Sequence, residues 1–110
     1  MASLTLIYWR DIPAQVVVRR GRETAKAILS ARFQEAVDRA AMRAGKGSSD
    51  AYIAEWRRST ATPCSDDIHV EAAAEAARIE AKYSDEELER LIRAKGIADT
   101  QADPSPQPAG

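Results

Sequence analysis

Between Ser3 and Trp9 the chain runs Ser-Leu-Thr-Leu-Ile-Tyr-Trp, rich in the β-branched and aromatic residues that suit a pleated strand. Alternation sets Leu4, Leu6 and Tyr8 on one side and Thr5, Ile7 and Trp9 on the other, so both faces are largely apolar and neither is expected to be fully solvated. Val16-Val17-Val18, flanked by Gln15 and Arg19, is a second β-branched run. Between the two lies Arg10-Asp11-Ile12-Pro13-Ala14, where Pro13 fixes its own φ and the Asp11 side chain can turn the backbone. The pattern predicts a β-hairpin. Because a lone hairpin is marginal in water, it must lie on helices or pair with a further sheet edge.

The period then changes from two to about 3.6. From Arg22 to Ala44, strong helix formers carry Ala25, Leu29, Phe33, Ala36, Val37, Ala40 and Ala44 along one stripe, with Arg32, Glu35, Arg39 and Arg43 on another face. A single helix of this length would end at Gly45-Lys46-Gly47, where glycine closes it in the left-handed conformation. Ser48, Ser49 and Asp50 are N-cap candidates for a shorter helix to about Arg58, which would present Tyr52, Ile53 and Trp56 together. Ser59 to Ser65 read as a loop, since Thr, Ser and Pro63 break the period. A third helix is expected from Ser65 or Asp66, with Ile68, Ala72, Ala76, Ile79 and Tyr83 as its apolar stripe. Ser84-Asp85-Glu86-Glu87 has the form of a capping box and starts a fourth helix through Leu88, Leu91 and Ile92, closed by Gly96. Residues 97–110, with three prolines and no aromatic residue, cannot bury enough surface to offset their ordering entropy and read as a disordered tail. The expected architecture is α+β: residues 1–96 form one domain, an N-terminal β-hairpin packed on about four α-helices.

Composition adds boundaries. At 110 residues one hydrophobic core is expected, large enough to need neither a metal nor disulfides. The single cysteine, Cys64, rules out an intrachain disulfide and fits a reducing compartment. No apolar run approaches the roughly 20 residues of a membrane span, and no secretory signal is apparent, so the expected location is the cytoplasm and no membrane partner is expected. Net charge is −1, but it is unevenly placed. Residues 1–63 hold eleven Lys or Arg against six Asp or Glu, whereas residues 64–110 hold five against eleven. Mutual attraction of the two halves explains the split most simply; an anionic partner for the basic half is the sharper alternative.

Candidate chemistry is sparse. Cys64 precedes a helix start, a position that can lower a thiol pKa, and His69 follows five residues later, so a small enzyme or a redox or ligand-binding protein using the Cys64–His69 loop stands as one alternative. Asp66 and Asp67 are better explained as capping residues than as metal ligands, and phosphate-loop, dinucleotide and serine-hydrolase signatures are missing. No catalytic residue, metal site or cofactor is therefore assigned. Arg10, Arg19, Arg20, Arg22 and Lys26, with Tyr8 and Trp9 beside them, make weak nucleic-acid binding a second alternative, disfavoured by the overall acidity. For a protein partner the candidate contacts are Trp9, Arg10, Asp11 and Gln15 around the hairpin turn, and Tyr52, Trp56 and Arg57, with Arg58 next to it, as a second patch, because Trp, Tyr and Arg dominate interface hot spots. Tyr52 and Trp56, four apart, equally suit packing on the hairpin. An exposed apolar strand edge would also permit homo-oligomers.

The opening Leu4-Thr5-Leu6-Ile7-Tyr8-Trp9-Arg10-Asp11-Ile12-Pro13-Ala14-Gln15-Val16, the run from Arg32 to Gly45 and the segment Tyr52-Ile53-Ala54-Glu55-Trp56-Arg57-Arg58 resemble the small bacterial proteins of the "virulence factor" family. The resemblance spans about residues 3 to 94. It implies a domain found alone or appended to the larger conserved virulence factor C proteins, and carries no reaction, cofactor or catalytic residue with it. It further implies an accessory role near tetrahydrofolate and corrinoid methyl-transfer enzymes, which would make one-carbon enzymes the protein partners. The leading expectation is thus a noncatalytic accessory or protein-interaction domain.

Overall fold

The computed structural model describes residues 1–98. Among them the chain forms β1 (Ala2–Trp9), β2 (Ile12–Arg20), β3 (Glu23–Ile28), α1 (Ala31–Arg43), α2 (Ser49–Ala54), β4 (Trp56–Arg58), β5 (Thr62–Cys64), α3 (Ile68–Lys82) and α4 (Asp85–Arg93). The α+β reading holds, with the hairpin extended into a five-stranded antiparallel sheet ordered β3-β2-β1-β4, and β5 lying against β1 beyond β4.

The hairpin is tighter than its sequence suggests. Only Arg10 and Asp11 lie between the strands, Arg10 in the left-handed region at φ 53°. Ile7 faces Gln15 whereas Tyr8 faces Pro13, so Ala14 is the extra residue of a β-bulge. The freed Ala14 carbonyl accepts a hydrogen bond from the Leu29 amide, and Pro13, with no N–H to offer the ladder, is buried beside the irregularity.

Three expectations about the middle of the chain are corrected. Residues 22–44 are not one helix: Glu23–Ile28 form β3, and α1 begins only at Ala31. The nine-residue β2 has an edge whose N–H and C=O groups need partners, and β3 supplies them from Gln15↔Ile28 to Arg20↔Glu23. That pairing overrides helix propensity, and it places Ala25 in the core and exposes Thr24 and Lys26. The short helix likewise stops at Ala54 rather than near Arg58, because Trp56–Arg58 pair with Ile7–Trp9. The expected loop 59–65 contains β5, paired with Ala2–Leu4; Pro63 is tolerated there because β5 is an edge strand. Ser59 joins the two pieces: its amide donates to the Leu6 carbonyl at 2.9 Å and its Oγ accepts from the Leu6 amide at 2.9 Å.

The helical punctuation follows local rules. Ser48 caps α2 and Asp67 caps α3 through side-chain oxygens, and Ser84 and Glu87 complete the capping box of α4. The helix α1 closes in a Schellman turn, with Gly45 at φ 74° and Lys46 N–H bonded to the Ala41 carbonyl at 2.8 Å. Ser30, at the N-cap of α1, makes no side-chain cap; its amide and hydroxyl donate to Glu80 of α3 instead, at 2.6 and 2.9 Å.

One face of the sheet carries the core. Leu4, Leu6, Val16, Val18 and Ala25 meet Phe33, Ala36, Val37 and Ala40 of α1 and Ile68, Ala72 and Ile79 of α3, with Leu88, Leu91 and Ile92 of α4 closing the layer. Fully burying each large aliphatic or aromatic side chain contributes about 1.5–3 kcal/mol. Charge attraction between the halves is visible across this layer, in Arg20 with Asp66, Arg32 with Glu80 and Asp85, and Arg39 with Glu89. The expected tail lies, from residue 99 on, outside the described residues; Ile97 and Ala98 are described, and Ala98 packs against the core.

Candidate functional site

The β1–β2 turn is held by three neighbours. The Arg10 amide donates to the Glu55 carbonyl at 3.0 Å, and the Asp11 amide donates to the Gly96 carbonyl at 2.8 Å. The Arg10 guanidinium pairs with Glu55 at 3.3 Å, donates to the Lys95 carbonyl at 2.9 Å and lies 5.4 Å from the Trp9 ring. Glu55 also meets Lys46 at 3.4 Å. Its carboxyl is held below the usual range, chiefly by the Arg10 hydrogen bond, with Lys46 adding to it against partial burial. Arg10 is therefore a clamp, with only 15% of its side chain exposed.

Beneath the turn, Trp9 is fully buried. Its Nε1 donates to the Tyr52 carbonyl at 2.9 Å, its ring stacks on Tyr52 at 5.9 Å, and Tyr52 meets Trp56 edge-on at 5.8 Å. Tyr52 and Trp56 thus keep the contact that helical spacing suggested, although β4, not a helix, presents Trp56. Trp9 and Arg10 support the surface from within, while Trp56 remains half-exposed.

Arg57 ties β4 to the turn. Its Nε donates to the Arg10 carbonyl at 2.7 Å, its Nη2 bonds Asp11 Oδ1 at 2.8 Å, and its guanidinium lies 4.5 Å over the Tyr8 ring. The second Asp11 oxygen, Oδ2, accepts from the Ala98 amide at 2.6 Å. Burial pushes the Tyr8 hydroxyl pKa up, with Arg57 opposing and Glu75 and Asp11 adding to it; burial does the same to Tyr83. Both phenols are neutral at physiological pH.

Two hollows flank this pair. One, on the helical side, is lined by Asp11, Tyr83, Glu87 and Arg90. The other is a shallow recess lined by Ile7, Gln15, Trp56, Arg57 and Arg58. Of the residues named from sequence, Gln15, Trp56 and Arg57 come together in this recess; Trp9, Arg10, Asp11 and Tyr52 form its support. Arg58, named beside Arg57, joins the first three, whereas Ile7 was not singled out. Strand alternation contained its signal, since Ile7 and Gln15 are paired across the hairpin, but Arg58 joins only through the distant β1–β4 ladder.

The other constellations look different in three dimensions. The basic cluster is divided: Arg10 sits at the turn end with Tyr8 and Trp9, and Arg19, Arg20 and Arg22 lie at the opposite end of strands about 25 Å long. Arg20 pairs with Glu23 and Asp66. Partial burial, together with the carboxylates of Glu71 and Asp66, pushes the Cys64 thiol up, the reverse of what an activated nucleophile requires. Among the described residues no group of three or more His, Cys, Asp or Glu is arranged to hold a metal ion, and no helix is long and apolar enough to cross a membrane.

No curated protein and no solved structure matches the chain. A family model described as "Virulence factor" matches residues 7–92, which take in the whole turn, the recess and α1 to α4 up to Ile92. With most of its length matched, the chain belongs to the virulence factor family.

Proposed function

We propose that this domain is a noncatalytic, cytoplasmic partner-binding module whose contact surface centres on the Ile7, Gln15, Trp56, Arg57 and Arg58 recess. The observation that carries the reading is the way the fold uses its residues: a buried Trp9, a clamped Arg10 and the Asp11–Arg57 pair rigidify a strand end that leaves Trp56 half-exposed and Arg58 exposed beside it. Rigid support beneath an accessible Trp and Arg is what an interface anchor needs, because little side-chain freedom is lost when the partner arrives. The raised Cys64 pKa weighs against a thiol enzyme at the Cys64–His69 loop. The family resemblance makes tetrahydrofolate and corrinoid methyl-transfer enzymes the partners to test first.

The test is affinity purification of the tagged protein from a bacterium that encodes it, in parallel with an Arg58→Glu variant verified as folded by circular dichroism. A stoichiometric partner retained by the parent chain and lost from the variant is the expected result. A partner-free monomer from both would remove the reading.

A further inference from the structure

Among the described residues, α1 and α3 pack on the Leu4, Leu6, Val16 and Val18 side of the sheet. Cα pairing fixes which residues share the other side: Arg58, Ile7, Gln15 and Ile28 form one row across the strands, Thr5, Val17 and Lys26 the next, and Pro63, Ser3, Arg19 and Thr24 the third. Of these side chains Val17 is buried, at 8% exposure, Ser3, Thr5, Ile7 and Gln15 are half-buried, and Arg19, Lys26, Arg58 and Ile28 are exposed, Ile28 at 79%. We propose that this face is a docking surface for an acidic, amphipathic segment of a partner protein, whose carboxylates meet Arg19, Lys26 and Arg58 and whose apolar residues cover Ile7 and Ile28. The inference rests on the partner-binding reading above and names the chemistry of the partner.

Charge selects the occupant. The three rows hold three cations and no carboxylate, and among the described residues none of the ion pairs involves Arg19, Lys26 or Arg58. Arg20, Arg32 and Arg39, by contrast, each find a carboxylate elsewhere on the molecule. A second copy docking the same face by two-fold symmetry would set these cations against each other. Nucleic acid fits less well, because single-strand binding uses aromatic platforms and Trp56, at one corner and already engaged by Tyr52, is the sole aromatic residue in these rows or the adjoining recess.

Size selects a segment rather than a domain. Three strands and six residues of each span roughly 15 × 20 Å, about 300 Å², against ~800 Å² per partner in a standard interface. A helix of about 13 residues covers that length at 1.5 Å per residue. Its apolar stripe would meet Ile7 and Ile28, two strands apart in one row, above the buried Val17 of the next, with acidic residues on either side.

The test pans a random 16-residue peptide display library on the purified full chain, followed by NMR mapping with the enriched peptides on isotope-labelled protein. Enriched peptides should carry an acidic excess around apolar residues at helical spacing and shift Thr5, Ile7, Gln15, Val17, Lys26 and Ile28. Lys26→Glu with Arg58→Glu should weaken them at least tenfold. Should that variant fold poorly, the affinity of the parent chain must still fall steadily with added salt. Neutral or basic enriched peptides, or acidic ones that map elsewhere, would overturn the inference while leaving a binding domain. Tighter binding of a dodecauridylate probe, or a dimer by sedimentation velocity that shields this face, would overturn it in favour of nucleic acid or a second copy. No enrichment at all would overturn both this inference and the reading beneath it.

Discussion

Gly96 lies against the Trp9 ring: a Cβ built on Gly96 would come within 2.9 Å of Trp9 Cζ3 and 3.2 Å of Cε3. Gly96 also sits at φ 86°, just after Lys95 at φ 62°. The residue therefore does more than terminate α4. It lets the segment after α4 pass close enough to the hairpin for its carbonyl to accept the Asp11 amide at 2.8 Å. Gly96→Ala should cost about 2–4 kcal/mol, combining a left-handed backbone with collision against an immobile ring. Gly21→Ala, at φ 61° with open space around it, should cost only about 1–2 kcal/mol. Urea unfolding of the two variants checks this; equal losses would show that the Trp9 contact is relaxed without cost.

Trp9 and Arg58 should separate stability from binding. Trp9 is fully buried and donates to the Tyr52 carbonyl, so Trp9→Ala leaves both a cavity and an unpaired acceptor and should lower stability by about 3–5 kcal/mol. Arg58 is exposed and its replacement by Glu should change stability by less than about 0.5 kcal/mol. Thermal unfolding measures both. A binding-deficient control should accordingly be built at Arg58, since truncating Trp9 would report on folding rather than contact.

Glu80 links α1 to α3, and its protonation should be felt by the whole fold. Burial raises its pKa, but the hydrogen bonds from Ser30 and the Arg32 guanidinium outweigh that and hold it below its ordinary value of 4.5. A depressed carboxylate contributes stability that is present above its unfolded value and lost as pH falls through the folded one. Glu80→Gln should therefore destabilise by about 1 kcal/mol at pH 7, with the gap to the parent chain closing below pH 4.5 as Glu80 itself protonates. Urea unfolding from pH 7 to pH 3 checks it; a gap that stays constant would assign the loss to shape rather than charge.

What the sequence made legible, and what it did not, divides by distance along the chain. The Ser84–Glu87 capping box and the Gly45 closure of α1 rest on atoms within a turn or two, so the residues that decide them are visible together. β3, β4 and β5 are decided by partners outside the segment. Glu23–Ile28 has an ordinary helical composition and becomes a strand because β2 presents an unfilled edge; Trp56–Arg58 is extended because β1 lies beside it, 47 residues away at the Trp9–Trp56 pair. The site follows the same division. Gln15, Trp56 and Arg57 stood out as residue types suited to contact, but their meeting in one recess with Ile7 and Arg58 depends on a ladder that no local pattern encodes.

Cys64 offers the most direct discrimination between a binding domain and a thiol enzyme. It ends β5, half-buried, ahead of Asp67 at the cap of α3. A helix start would favour the thiolate, yet partial burial and the carboxylates of Glu71 and Asp66 act the other way and raise its pKa. Because alkylation proceeds through the thiolate, iodoacetamide at pH 7.5 should label the folded protein several-fold more slowly than free cysteine, and urea should restore the ordinary rate. Replacing Glu71 and Asp66 by Gln and Asn should speed labelling of the folded chain without reaching the unfolded rate, since the burial contribution remains. Mass-spectrometric time courses of the intact protein separate these outcomes. Folded-state labelling faster than free cysteine would mean that the helix terminus prevails over burial and the two carboxylates, and would return the Cys64–His69 loop to consideration as a reactive site.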